Sequence, residues 1–107
     1  MTLRLAYDEI GNPIQALRPG TAQNIAFDAT SQQNGTAFDA GTRVLRLRAL
    51  TADCYYKIGA NPTAAADGTS VLLGQGEREF VRIEAGEKIA AIRAAGVNGT
   101  LNIAEMS

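Results

Sequence analysis

The sequence predicts an all-β domain, either a sandwich or a barrel. Short apolar segments of strand length recur along the chain, and glycine, proline or asparagine separates each segment from the next. Evenly spaced short strands with turn residues between them are typical of these two architectures. The hydrophobic content of 46% is sufficient for a buried core, and with only three Tyr, three Phe and no Trp that core is expected to be aliphatic.

The N-terminal residues predict a short strand or an extended arm. Leu3, Leu5 and Tyr7 alternate with polar or small residues, as in a strand with one apolar face. This pattern fits an ordinary edge strand of the same sandwich and an arm that contacts a partner subunit equally well.

Residues 24–28 predict a second strand, in which Ile25 and Phe27 share one face. The polar segment from Thr30 to Thr36 predicts a loop or an exposed tip.

Residues 43–50 predict the clearest strand, because apolar and polar side chains alternate along it. Arg46 and Arg48 share one face, whereas Arg43 has the opposite parity. These three arginines are candidates for a basic stripe that faces an acidic partner. The alternative is the solvated face of a half-buried strand.

The second half of the chain predicts further strands separated by turns. The turn at residues 51–53 and the Asn-Gly pair at 98–99 each predict a hairpin between the flanking strands. Residues 84–95 fit either a helix or a strand, and the turns on both sides favour the strand. The predicted segments are 54–58, 71–73, 78–83, 89–94 and 101–104.

The residue types argue against an enzyme and against a metal or cofactor site. The chain has no histidine and a single cysteine, so the usual general base and the usual structural zinc ligands are missing. Cys54 is expected to be a buried, inert thiol. Glu77 and Glu79 could act as paired acids, but a solvated charged edge is the better interpretation.

The charge balance argues for a protein partner. Ten basic and eleven acidic residues give a formal net charge of −1 without any block of like charge, which disfavours nucleic-acid binding. No segment has the length of a membrane span, and the N-terminus lacks the pattern of a signal peptide. The chain is therefore expected to be made in the cytoplasm and to contact neither nucleic acid nor membrane.

The last 60 or so residues carry a resemblance to a known class of protein. The run from Tyr55 to Ala64 resembles a Tyr-x-Lys-Ile-Gly-like strand that enters an Asn-Pro-Thr-Ala-like loop. Glycine-bounded segments at 79–83 and 86–92 follow, and a Gly-Thr-Leu-Asn-Ile-like strand closes the chain at 99–103. Small structural proteins encoded among the head genes of tailed bacteriophages contain similar segments.

This resemblance implies a virion component with a jelly-roll or related β-sandwich. The expected role is a capsid decoration or cement protein that binds the major capsid protein on the outside of the head, as a homo-oligomer, with a trimer favoured over a dimer. A tail-associated, neck-associated or fibre-base binding protein is the alternative, with contacts through loops 30–36 or 60–69. The resemblance carries no catalytic residue.

Together these observations predict a single domain over residues 1–107, an antiparallel, jelly-roll-like β-sandwich with an extended N-terminal segment. Residues 1–20 are the candidate N-terminal arm, with an edge strand of the same sandwich as the alternative. No catalytic, cofactor-binding or metal-binding residue is expected. The candidate partner-binding residues are Leu3, Leu5, Tyr7, Arg43, Arg46 and Arg48.

Overall fold

The chain folds into β-strands, and the all-β prediction is confirmed. A computed structural model describes residues 5–7, 13–15 and 17–107, and these residues contain ten strands and no helix. The strands are β1 (Leu5–Tyr7), β2 (Pro13–Gln15), β3 (Pro19–Phe27), β4 (Gln32–Gln33), β5 (Val44–Ala49), β6 (Cys54–Gly59), β7 (Val71–Leu73), β8 (Arg78–Arg82), β9 (Lys88–Arg93) and β10 (Gly99–Met106).

Eight of these strands form two antiparallel sheets that pack face to face, as a β-sandwich requires. The first, called the front sheet below, has the order β3-β10-β5-β8, and the second, the back sheet, has the order β4-β9-β6-β7. β1 and β2 pair antiparallel in a separate two-stranded sheet.

Most connections carry the chain from one sheet to the other. Among β3 to β10, β6 and β7 are the one pair of successive strands that are also neighbours in a sheet. The two predicted hairpins are therefore wrong, since β5 and β6 lie in different sheets, as do β9 and β10. The chain does turn at these positions. A local turn signal, however, does not show whether the next strand pairs with the preceding one or lies in the opposite sheet.

The structure also shows the conformation of two segments, 30–36 and 84–95, for which the sequence left a question. The polar segment at 30–36 is not entirely loop, because Gln32 and Gln33 form β4 and pair with Ala91 and Ala90 of β9. Asn34 continues this pairing, since its side-chain Oδ1 accepts a hydrogen bond from the Ile89 amide at 3.0 Å. The ambiguous segment at 84–95 contains strand β9, so the strand interpretation is confirmed there.

The core lies between the sheets and takes side chains from β3, β5, β6, β7, β9 and β10, mostly at alternate positions. The fully buried large side chains are Phe27, Leu45, Leu47, Ile83, Ile89, Leu101 and Ile103. Each contributes about 1.5–3 kcal/mol through burial. The core is mainly aliphatic, as expected, with Phe27 as the fully buried aromatic side chain of the described residues.

Gly99 allows Phe27 to reach that core. The two residues are directly paired between β10 and β3. A Cβ atom at Gly99 would stand 2.6 Å from the Phe27 ring Cζ and 2.9 Å from Thr51 Oγ1. Since both distances are too short for a real contact, the Phe27 ring can occupy its place only because residue 99 has no side chain.

Replacement of Gly99 by alanine is expected to lower the free energy of unfolding by about 1–3 kcal/mol, because the ring must shift or the strands must separate. Chemical denaturation of the purified variant measures this change. Gly59→Ala is the matched control: Gly59 also lies in a strand, and a Cβ there meets nothing within 4 Å. That variant should be neutral or gain up to about 0.5–1 kcal/mol, and equal losses in both variants would contradict the steric explanation.

Candidate functional site

The outer surface of the front sheet carries several arginine side chains close together. Alternation along β5 buries Leu45 and Leu47 and turns Arg46 and Arg48 away from the core. The prediction that Arg46 and Arg48 share one face is therefore confirmed. Arg48 is exposed and Arg46 half-buried.

Strand β8 adds to this surface a second set of side chains that sequence reasoning did not connect with the first. In the register of β5 and β8, Phe80 lies opposite Arg46 and Arg78 lies opposite Arg48. Arg82 follows at the next outward position. We call the five side chains the arginine face: Arg46, Arg48, Arg78, Phe80 and Arg82.

The arginine face contains an unfavourable arrangement. Arg48 and Arg78 are direct cross-strand neighbours, and like charges in such a pair are destabilising. Phe80 is 55% exposed in the same patch. A pair of arginines at directly opposite strand positions does not favour the stability of the isolated domain. Together with an exposed aromatic ring, it has the composition of a binding surface.

The arginine face is confined to one half of the front sheet. The other two strands, β3 and β10, present neutral side chains on the same side. Asn24 and Asn102 are cross-strand partners there and share a hydrogen bond from Nδ2 of Asn102 to Oδ1 of Asn24 at 2.9 Å.

Most of the other described carboxylates do not pair with the arginine face, because they accept hydrogen bonds from backbone amides in turns and connections. Asp28 is typical: its Oδ1 accepts hydrogen bonds from the Thr30 amide at 2.9 Å and from Gln32 Nε2 at 3.2 Å, and these bonds lower the pKa of its carboxyl group. The carboxylates that accept a backbone N–H in this way are Asp28, Asp39, Asp53, Asp67, Glu77, Glu87 and Glu105.

Glu84 is the carboxylate that reaches the border of the arginine face. Its Oε1 lies 2.8 Å from Nε of Arg82, and its Oε2 lies 3.8 Å from Nε of Arg43. Within residues 17–107 these are the ion pairs that form. Arg46, Arg48 and Arg78 are therefore left without an ion-pair partner among the described side chains.

Arg43 has a local structural role next to this surface. It precedes β5, and its Nη1 donates hydrogen bonds to the carbonyl oxygens of Ala40 at 2.8 Å and Thr42 at 3.1 Å. The other predicted partner residues lie near the N-terminus. Leu5 and Tyr7 fall in β1, and Leu3 is outside the described residues, so their binding role stays a prediction.

The outer surface of the back sheet is partly covered by the chain itself. The connection from β6 to β7 crosses this sheet to reach the region of β4. There Gln33 Nε2 donates to Asn61 Oδ1 and to the Pro62 carbonyl, both at 2.9 Å, and the Ala64 amide donates to Ser31 Oγ at 2.9 Å. The part of the back sheet next to β4 is therefore occupied by the chain itself.

The two carboxylates considered for catalysis, Glu77 and Glu79, occupy different parts of the structure. Glu77 precedes β8 and accepts the Gly74 amide at 2.6 Å, whereas Glu79 lies inside β8, opposite Leu47 of the core. Only Glu79 lies within a strand, so the structure does not support the less favoured interpretation of Glu77 and Glu79 as paired acids. No group of three His, Cys, Asp or Glu side chains in the described part of the chain is placed to bind a metal ion.

Cys54 is a buried thiol, as expected. Burial, and to a smaller extent the nearby charge of Asp53, raises its pKa to about 12. At neutral pH the thiol is therefore protonated, and a protonated thiol is a poor nucleophile.

A shallow depression lies at one end of the sandwich. It is lined by Thr51, Ala52, Asp53, Gln75, Ala95 and Val97 and has a volume of about 160 Å³. Ligand pockets usually measure roughly 300–1,000 Å³, so this depression does not provide a small-molecule site of ordinary size. The part of the chain that the structure describes contains no candidate transmembrane helix.

Comparisons with known proteins leave the family open. No protein-family model, curated protein or solved structure matches this chain. The function must therefore be inferred from the surface of the molecule and from the sequence resemblance described above.

The raised pKa of Cys54 predicts a loss of stability in base. Between the ordinary thiol pKa of 9.0 and about 12, the unfolded chain releases the thiol proton and the native state retains it. The free energy of unfolding must then fall as the pH rises. Burial and Glu79 also raise the pKa of Tyr56, which acts in the same direction.

Urea unfolding at several pH values between about 8 and 11 tests this expectation. The variant Cys54→Ala should lose stability less steeply with pH than the wild type, because one of the two titrating groups is gone. Parallel pH profiles for the two proteins would show that Cys54 does not titrate as its burial requires.

Proposed function

We propose that this protein is a non-catalytic structural component of a tailed-phage virion, a decoration or cement protein that binds the major capsid shell through the arginine face. The observation that carries the proposal is the accessible surface around Arg48, Arg78 and Phe80, where like charges oppose each other beside an exposed ring. The resemblance of residues 55–103 to phage head proteins supplies the partner.

The chemistry of the arginine face suits an acidic protein surface. Guanidinium groups bind carboxylates with two parallel hydrogen bonds, and an exposed aromatic side chain is a common anchor in protein interfaces. Carboxylates of the partner would also relieve the repulsion between Arg48 and Arg78. Binding would thus stabilise an arrangement that is unfavourable in the free protein.

Symmetry would multiply these contacts on a shell. A homo-oligomer, with a trimer favoured over a dimer, would present several arginine faces at once. Contacts of modest strength repeated by symmetry add up to tight binding. A protein of this kind would reinforce the shell from outside without any reaction.

The strand order supports a jelly-roll connectivity for this sandwich. Jelly rolls have eight strands in two antiparallel sheets and are common in viral capsid proteins. Strands β3 to β10 number eight, lie in two such sheets and cross between them at every connection but one. We therefore propose that this sandwich is a jelly roll.

A tail-associated, neck-associated or fibre-base role is the second candidate. In that role the protein would contact its target through the loop at 30–36 or the loop at 60–69. In the structure these two segments contact each other through Gln33 and Asn61 and through Ser31 and Ala64. That mutual contact favours a structural role for them and leaves the capsid proposal first.

Gold-labelled antibody against this protein, applied to purified virions and viewed by electron microscopy, tests the proposed location. We expect label over the whole head. Label restricted to the tail or neck would replace the capsid proposal by the second candidate. Virions without label would overturn both.

Charge reversal at Arg48 tests the proposed surface. Arg48→Glu should weaken binding to isolated shells in a co-sedimentation assay. It should also raise the free energy of unfolding by about 0.2–1 kcal/mol, because the repulsion from Arg78 becomes an attraction. A gain in stability together with a loss of binding is characteristic of a surface kept for function.

Lys57→Glu provides the matched control for this substitution. Lys57 is exposed on the outer side of the back sheet, opposite Ala90. The same change of charge there should leave shell binding intact and alter stability by less than about 0.5 kcal/mol. Equal loss of binding in both variants would point to net charge and not to the arginine face.

A further inference from the structure

Strand β8 is an edge strand with free backbone groups on its outer side. It pairs with β5 alone. The Ile83 amide donates to the Arg43 carbonyl at 2.8 Å. In an antiparallel ladder the bonded residues alternate. Glu79 and Val81 therefore direct their backbone groups towards β5.

The backbone groups of Arg78, Phe80 and Arg82 point the other way by the same alternation. No described residue forms a backbone hydrogen bond with them on that side. Unpaired N–H and C=O groups in such a row are the template for the addition of another strand.

The side chains on this edge determine which strand would fit. Arg78, Phe80 and Arg82 occupy alternate positions and share the outer side of the front sheet. An added strand would place one side chain directly opposite each of them. Opposite charges and apolar pairs at such positions are favourable, and like charges are not.

Pairing of β8 with β8 of a second copy, centred on Phe80, does not satisfy this pattern. Two β8 strands paired antiparallel about Phe80 would set Arg78 of one copy against Arg82 of the other. Both ends of that pairing join like charges. In that register the arginines disfavour edge-to-edge self-association, and a strand of opposite charge fits the edge better.

We propose that β8 accepts an extended segment of the partner protein as a fifth strand of the front sheet. The segment carries an apolar side chain opposite Phe80 and a carboxylate two residues away on each side, opposite Arg78 and Arg82. This proposal rests on the proposed function only in taking the partner to be a protein.

The test uses an end-capped peptide, Thr-Glu-Thr-Val-Thr-Glu-Thr, added to the full-length protein. The control is the same peptide with lysine in place of both glutamates. We expect the lysine peptide to bind about tenfold more weakly, mainly because the attraction to Arg78 becomes a repulsion. Arg82 contributes less to this difference, since Glu84 already pairs with it at 2.8 Å. Fluorescence anisotropy of labelled peptides measures the two affinities.

Amide hydrogen exchange followed by NMR distinguishes strand addition from contact through side chains alone. The glutamate peptide should slow exchange at the amides of Arg78, Phe80 and Arg82. The amides of Glu79 and Val81, which face β5, serve as internal controls and should change little. Binding without this alternating protection would overturn strand addition, and absence of binding by the glutamate peptide would overturn the whole inference.

Two variants link the effect to β8. Arg78→Glu should weaken binding of the glutamate peptide about tenfold, whereas Lys57→Glu should not change it. Equal binding to wild type and Arg78→Glu would also refute the proposal. Because no shell is present in these assays, their failure would leave the virion proposal standing, and virions without label would leave the peptide result standing.

Discussion

Burial of one side of β5 is the constraint on which the binding surface depends. Leu45 and Leu47 pack at the centre of the sandwich without exposure to solvent. Side chains alternate along a strand, so Arg46, which lies between the two leucines, and Arg48, which follows Leu47, must point outward. β8 then brings its own arginines beside them through its pairing with β5. The arginine face is thus a geometric consequence of the core.

The distribution of acidic side chains explains how a nearly neutral chain has a basic surface. Seven carboxylates accept backbone amides in turns and connections, as Asp53 does from Gln75 at 2.6 Å. These bonds stabilise the connections between strands, and none of the seven carboxylates forms an ion pair with Arg46, Arg48 or Arg78. The net charge of the chain does not reveal that arginines are concentrated on one surface.

The two parts of the arginine face have different roles in binding. Arg46 and Arg48 belong to a central strand, so only their side chains can contact a partner. Arg78 and Arg82 belong to an edge strand and can offer backbone groups as well. A partner strand on β8 would extend the sheet and bring further partner residues towards β5. One surface would then combine hydrogen bonds that give affinity with charges that give selectivity.

Local sequence patterns determined the strands of this protein but not their partners. Alternation identified β5, and the turn residues marked the ends of strands. The pairing of Arg48 with Arg78 joins positions 30 residues apart, and nothing in either strand specifies that register. The turns at 51–53 and 98–99 likewise indicate a reversal without showing that the chain crosses the core. Only the packing of the two sheets decided these points, because apolar faces from distant parts of the chain must meet before any strand acquires its neighbour.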